Sequence, residues 1–394
     1  MTEKPTALVL GGSIGDVPLV QGLRDAGYRV AMLGNATEAP AHRLADASFA
    51  ADFSDPSACS EIARRIAPDA VVPGSNDYAA ISAAAVAEDL DLPGHDPVET
   101  VRALNLKERF RSLQSRVGLP LPAFCRVDSS AASLSSASEL RFPVIVKPTD
   151  LTGGKGIRTV DRAENLEQAV SHALAMSRRP DVIVEEYLAG TRHGVTSMIK
   201  AGTVTFSFVD DEQYLPGGFR VVGTNPTTLD DRTQSDVVRQ LGLLAGATSM
   251  VDGLLHAQFI ATPDGPVLVE VTRRAPGDLY PWFVEAAVDY PYVQAILMPY
   301  LGRPVPEIGG ELAARKIARW IVVSREAGRY AGVAIDPDFR AAVLDLHEAY
   351  PIDAVISAAG STLAVAIVDA SALPPGQPAW SGGALGTIWP VASS

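Results

Sequence analysis

The sequence is short of cysteine, of positive charge and of long apolar runs. Its 394 residues include two cysteines, Cys59 and Cys125. They stand isolated, without the spacing of a metal site, which fits small buried side chains in a reducing compartment. Lys and Arg number 33 against 46 Asp and Glu, a formal charge of −13. A phosphate backbone needs a basic surface, so no nucleic-acid partner is expected, and the charge describes a solvated exterior. No apolar stretch is long enough to span a membrane and the N-terminus shows no signal-peptide pattern, so a cytoplasmic chain without a membrane partner is expected. Two nucleotide signatures are missing too. Gly-x-x-x-x-Gly-Lys-Ser/Thr is absent. The turn Gly11–Gly15 lacks the second glycine of Gly-x-Gly-x-x-Gly, and the next strand ends in Leu33-Gly-Asn35 with no acid for a ribose, which argues against a nicotinamide cofactor.

What is present is enough apolar sequence, 47% of residues, for two or three domains with ample cores. Residues 1 to about 95 alternate strand and helix patterns, which predicts a parallel sheet. Ala7–Leu10, Tyr28–Leu33 and Ala70–Pro73 read as strands, with helices over Val17–Ala26 and around Ile62–Ile66. The stretch Pro73–Asp77 ends a strand, and lines a small-molecule site or caps a helix. Residues 96–118 read as one helix, stopping at Gly118-Leu-Pro120.

The stretch from Phe142 to Arg158 carries the most chemistry. A β-branched run ends in Lys147, and a polar loop then places Gly153, Gly154 and Gly156 around Lys155. Glycines let the backbone aim several N–H groups at one anion, and the lysines add point charge. A strand, glycine loop and strand with a lysine at the base suit a flap over a triphosphate; an ordinary surface hairpin is the bland alternative. Further on, Leu166–Met176 and Ser235–Met250 read as helices. Val195–Ile199 with Thr203–Val209, and Leu254–Ala261 with Pro266–Val271, read as hairpins, and Ile317–Val323 and Ser361–Val368 as late strands.

In this order the motifs resemble the ATP-grasp superfamily over about residues 5 to 300. The resemblance implies an α/β and α+β chain. Residues 1–118 would form an N-terminal parallel-sheet domain and 119–304 a two-lobed ATP-grasp domain, with a lid lobe to about 188 and a second lobe from 189; residues 305–394 would form a small C-terminal subdomain. It implies ATP and Mg²⁺, with Mn²⁺ able to replace the latter. Lys107 and Lys147 then read as the nucleotide lysines, and Thr152, Gly153, Gly154, Lys155 and Gly156 as the flap. Glu185, Glu186, Tyr187 and Leu188 read as the hinge whose backbone meets adenine. His193 falls on the ribose side, or is a half-exposed strand histidine. The last motif, Leu255–Asp278, matches the pattern His-x-Glu-Phe followed by Glu-(Ile/Val)-Asn-x-Arg, with Glu270 and Arg274 in place. Gln258 and Thr272 stand where the family has a carboxylate and an amide, and the resemblance implies metal ligation by Glu270 with Gln258 and Thr272.

The reaction so implied joins a carboxylate to an amine through an acyl phosphate, with amino-acid-like substrates favoured. Arg274 would stabilise the reacting carboxyl, assisted by Lys155, or Arg273 or Arg274 would form a surface ion pair. Asp278 would receive the ammonium group or cap a helix. The partners are then a small-molecule acid and amine, with a homodimer left open. A formate- or bicarbonate-using purine enzyme and a nucleotide-binding regulatory protein are the alternatives. The hairpin itself yields to geometry. A turn centred on Asp264 sets Gln258 opposite Glu270 and His256 opposite Thr272, all on one face, but leaves Leu268 on that polar face opposite Ile260. Asp210, Asp211 and Glu212 are the reserve acids.

Overall fold

The structure, a computed structural model, describes residues 4–151, 153–215, 217–308, 312, 314–357, 360–373 and, by backbone only, 388–390. The apolar runs near the N-terminus form β1 (Thr6–Leu10), β2 (Arg29–Gly34) and β4 (Ala70–Pro73), and Ala47–Ala50 adds β3. All pair in parallel, in the order β3-β2-β1-β4. From Ala7 on, β1 is apolar, as is all of β4, because helices cover both faces. β3 has alternating burial and no apolar run, so the sequence did not reveal it. The helices are α1 (Val17–Asp25), α2 (Pro56–Ile66) and α3 (Asp77–Leu90), the last two capped by Asp55 and Asn76.

The single helix expected over 96–118 is two, α4 (Val98–Asn105) and α5 (Lys107–Val117), because Leu106 is extended. The Asn105 amide turns away to the Asp77 carbonyl, as short polar side chains do at helix ends. Lys107 therefore opens a helix rather than sitting inside one. A lid sheet follows: β5 (Phe124–Val127), β6 (Val144–Pro148), β7 (Arg158–Val160) and β8 (Val182–Glu186), antiparallel in the order β5-β8-β6-β7. Behind it lie α6 (Ala131–Ser138) and α7 (Leu166–Met176), which share a core with Val144, Val146, Val182 and Val184.

The remaining strands build one large antiparallel sheet. It comprises β9 (Thr191–Lys200), β10 (Thr203–Tyr214), β11 (Val221–Pro226), β12 (Gly253–Thr262), β13 (Gly265–Thr272), β14 (Ile317–Val323), β17 (Val343–Glu348) and β19 (Thr362–Asp369). Two short pairs stand apart, β15 (Gly328–Arg329) with β18 (Val355–Ile356) and β16 (Val333–Ile335) with β20 (Ile388–Pro390). The large sheet runs β13-β12-β9-β10-β11-β14-β19-β17. It thus continues through the boundary expected near residue 304, and the late strands extend the second lobe. α8 (Asp231–Thr248) covers one face over Ala257, Phe259 and Leu268. α9 (Tyr280–Ala287) and α10 (Tyr292–Tyr300) cover the other and share a core with α1 and β1. No helix among the described residues is long and apolar enough to cross a membrane.

Candidate active site

A cavity of about 420 Å³ lies where the lid sheet, the large sheet and the N-terminal domain meet, within the about 300–1,000 Å³ usual for small-molecule sites. Alternation along β6 sends Val144 and Val146 into the lid core and Ile145 and Lys147 into this cleft. Lys147 Nζ donates to Glu185 Oε2 at 2.6 Å, and Arg111 Nε donates to Glu185 Oε1 at 2.7 Å. Arg111 and Glu185 are 1% and 2% exposed. Burial works against the Glu185 carboxylate, yet Arg111 and Lys147 outweigh it and hold the group at about 2. For Lys147 burial is the largest influence; with Arg111 beside it, the ammonium is pulled below its ordinary value despite Glu185. Two cations share one carboxylate, so the cluster carries surplus positive charge. An anion in the cleft would relieve it.

Lys107 Nζ donates to the Leu151 carbonyl at the root of the flap, at 3.1 Å. Gly153 and Gly154 have φ of 67° and 76°, which glycine adopts freely. A Cβ on Gly154 would meet the Phe219 carbonyl at 2.7 Å, so the flap rests on the loop between β10 and β11. Lys155 is exposed and lines the same wall, whereas Gly156 is not among the lining residues and sits against Pro148. Thr152 lies outside the described residues. Glu186, Tyr187 and Leu188 line the cleft; the Glu186 and Tyr187 N–H groups donate to the Ala123 and Pro143 carbonyls, and the Glu186 carboxylate pairs with Arg141.

The facing wall is the β12–β13 hairpin. Gln258 pairs with Glu270 and His256 with Thr272, the register read from the sequence, and all four line the cleft. Leu268, awkward in that reading, is resolved by a β-bulge. The register slips between Gln258 and Phe259, Phe259 faces Leu268, and Val269 is the extra residue. Leu268 thereby turns into the buried core with Ala257 and Phe259. The bulge also leaves carbonyls off the ladder. Leu268 O accepts from Arg111 at 3.4 Å and from Gln114 Nε2 at 2.9 Å, and Val269 O accepts from Arg111 at 3.2 Å. Arg111 therefore joins both walls.

Beside the hairpin stands Glu212, one of the reserve acids. Its two oxygens accept from Gln258 Nε2 at 2.7 and 2.9 Å, and Tyr214 donates to it at 2.5 Å. Burial, with a contribution from the Glu270 charge, raises its carboxyl above the ordinary range. Asp210 lies beneath, with Tyr280 donating at 2.5 Å; burial first and Glu212 next push it up to about 7. His256 is lowered to about 3 by burial and then by Arg274 and Arg319. Among the described residues its Nδ1 and the Thr272 hydroxyl, both buried, have no hydrogen-bond partner.

The inner end of the cleft is contributed by several parts of the chain. Arg274 Nε and Nη2 bind Asp77 Oδ1 at 3.0 and 2.8 Å. Its neighbour Arg273 faces away and is buried on Asp96 at 2.6 Å, so of the two arginines only Arg274 lines the cleft. Asp278 does not cap α9, whose N-cap is Leu279 without a side-chain bond; its carboxylate accepts from Thr362 at 2.9 Å. Asp278 and Leu279 both have positive φ, 50° and 57°, a strained conformation for side chains beyond glycine. Arg319 fastens this turn by donating to the Gly277 and Asp278 carbonyls at 2.8 and 3.0 Å. Arg319, on β14, was missed in the sequence; the signal was a lone cation within the apolar run Ile317–Val323. Ser75, Asn76 and Asp77 also line the cleft, and Asn76 caps α3, so Pro73–Asp77 meets both readings. His193, like Gly156, is not brought to the cleft. It is buried, with Nδ1 on Asp211 at 2.8 Å, Nε2 on Thr191 at 2.6 Å and its ring stacked on Phe259. Strand parity explains this: Gln258 faces Gly194, so His193 falls opposite Phe259 on the apolar side.

Residues 107–204 match the family described as the carbamoyl-phosphate synthase L chain, ATP binding domain. Among solved structures, L-amino acid ligase from Bacillus licheniformis superimposes with a TM-score of 0.78 at 20% identity, covering 93% of this chain and 94% of that one. Phosphoribosylglycinamide synthetase from Anaerococcus prevotii gives 0.72 at 18%, with the same coverage. The biotin carboxylase domain of Hydrogenobacter thermophilus 2-oxoglutarate carboxylase, solved with MgADP and bicarbonate, gives 0.74 at 16%, covering 93% and 86%. The matched segment spans α5, the lid sheet with its flap and β9, and the chain as a whole has the ATP-grasp fold.

Proposed function

We propose that the chain is an ATP-dependent carboxylate–amine ligase, releasing ADP and phosphate, with amino-acid-like substrates. The observation that carries this reading is one continuous cleft lined by Lys107, Lys147 and the flap, then by Glu270, then by Arg274, Arg319 and Asp278. The Leu188 N–H and neighbouring hinge backbone would take the adenine. Lys107, Lys147 and the Gly153–Lys155 loop would hold the phosphates, since phosphoryl transfer asks for alignment and charge neutralisation more than for covalent help. An Mg²⁺ ion fits the hairpin: Glu270 and Gln258 pair across it and both line the cleft, the buried Thr272 hydroxyl has no partner among the described residues, and hard oxygen donors are what this ion takes. Bound there, it would neutralise charge between the β- and γ-phosphates.

In the first step a carboxylate oxygen attacks the γ-phosphorus and the bond to the β-bridging oxygen breaks, leaving an acyl phosphate and ADP. Arg274, held at a fixed angle by Asp77, would bind the carboxyl group and then the tetrahedral oxyanion. In the second step the ammonium loses a proton to solvent, the free amine nitrogen attacks the acyl carbon, the carbon–oxygen bond to phosphate breaks, and the second nitrogen proton leaves with the phosphate. Asp278, presented by its strained turn, would receive the ammonium form of that amine. The test is product analysis on a mixed panel of acids, amines and amino acids with ATP, read by mass spectrometry. ADP, phosphate and a condensed product are expected. AMP with pyrophosphate as the main products would overturn the reading, and nucleotide binding without any turnover would favour a regulatory protein.

A further inference from the structure

Glutamine at 258 removes a charge from the hairpin, and the side chains around it show where that charge has gone. Among the described residues Glu270 makes no hydrogen bond or ion pair, although it lines the cleft directly across from Gln258. The Gln258 amide nitrogen spends its donors elsewhere, on both oxygens of Glu212 at 2.7 and 2.9 Å. Its carbonyl oxygen, an acceptor, is thus left for the cleft. Glu212, Glu270 and that oxygen can only accept while the acids are ionised, so no proton bridges them and a cation is the natural occupant. Thr272, 2% exposed, adds a hydroxyl oxygen without a partner beside them.

On the functional reading above, we propose that Glu212 supplies the second carboxylate of the cation-binding set and that Gln258 is the positioning residue that aims it. The two identities require each other. A carboxylate at 258 would stand within hydrogen-bond distance of Glu212 and repel it, whereas an amide there fixes it. Equally, an amide at 258 without an acid at 212 would leave Glu270 as the one negative ligand, and divalent cations in oxygen cages are held largely by ligand charge. The charge a glutamate at 258 would carry has moved one hydrogen-bond length, from β12 to β10. Tyr214, donating to the same acid at 2.5 Å, limits its swing further.

The test uses the full chain and Mn²⁺ as the probe, with free Mn²⁺ read by electron paramagnetic resonance during titration of the protein–ADP complex. Glu212→Gln should weaken Mn²⁺ binding about tenfold or more, judged against the about 10–100-fold typical of losing even an outer partner at a metal site. ADP affinity without metal should stay unchanged. Glu212→Gln with Gln258→Glu in one chain should recover most of the lost affinity, because it returns the carboxylate to the hairpin. Glu212→Asp, which keeps the charge on a shorter arm, should fall between wild type and Glu212→Gln. Unchanged Mn²⁺ affinity in Glu212→Gln, or a double variant no better than the single one, would overturn the assignment while leaving the ligase reading intact. Failure of the wild-type chain to bind ADP at all would remove both.

Discussion

The two walls of the cleft are built on opposite principles. On the lid side the charged groups are answered within the protein: Arg111, Glu185 and Lys147 form a buried chain, and Arg111 also takes the carbonyls of the bulge. On the hairpin side they are not. Glu270 has no partner among the described residues, and His256 Nδ1 and the Thr272 hydroxyl are buried and unmatched. Unmet buried polar atoms cost stability, and a protein keeps them where a ligand completes the set. The lid wall is therefore expected to show itself in stability, and the hairpin wall in chemistry.

The largest effect should come from the hairpin. Glu270→Gln keeps the size and removes the charge, so turnover should fall to background while thermal unfolding stays close to wild type. Near-normal turnover at low millimolar Mg²⁺ would mean that this wall does not hold the cation. Next comes Arg111→Met, which leaves Glu185 and the bulge carbonyls without their donor. Removing one partner of a buried pair costs about 3–5 kcal/mol, to be read by urea denaturation at pH 7. The sign with pH follows from Glu185. Its folded value, about 2, lies below the ordinary carboxylate range. The wild-type advantage should therefore be full above about pH 5 and shrink as the pH falls through the folded value. A loss of activity without loss of stability would erase the contrast between the walls. The smallest effect belongs to Thr272→Val, which deletes an unpartnered buried hydroxyl at nearly constant volume. Unfolding free energy should be unchanged or rise by up to about 1 kcal/mol, and a clear drop in the same urea assay would show that the hydroxyl has a partner in the protein.

Much of the hairpin wall was legible in the sequence because a strand's period of two fixes the facing residues once the turn is placed. Gln258, Glu270, His256 and Thr272 fell on one face by that rule. The bulge did not, since an extra residue leaves no mark except a misfit, here Leu268. The lid wall was read from Lys147 and the glycines, yet Arg111 passed unnoticed, because nothing local distinguishes an arginine that pairs with a strand 74 residues on. Glu212 and Arg319 reach the cleft from β10 and β14, distant in the chain from the hairpin and brought into one sheet with it through β9 and β11. The late strands Ile317–Val323 and 362–369 were visible as apolar runs, but a run does not state which sheet it joins. His193 follows the same parity rule, one residue from the Gly194 that faces Gln258, but only once the register of β9 on β12 is known.

The bulge at Val269 also has a mechanical meaning. Arg111, on α5, holds the base of the lid through Glu185 and the floor of the cleft through the Leu268 and Val269 carbonyls. Pulling those bonds apart would strand a buried charge, so any swing of the lid lobe that kept them would turn about them. Arg111 is then a fulcrum. Were the lobe to turn about that point, the flap at Gly153–Lys155 would travel farther than Lys147, whose ammonium shares Glu185 with Arg111.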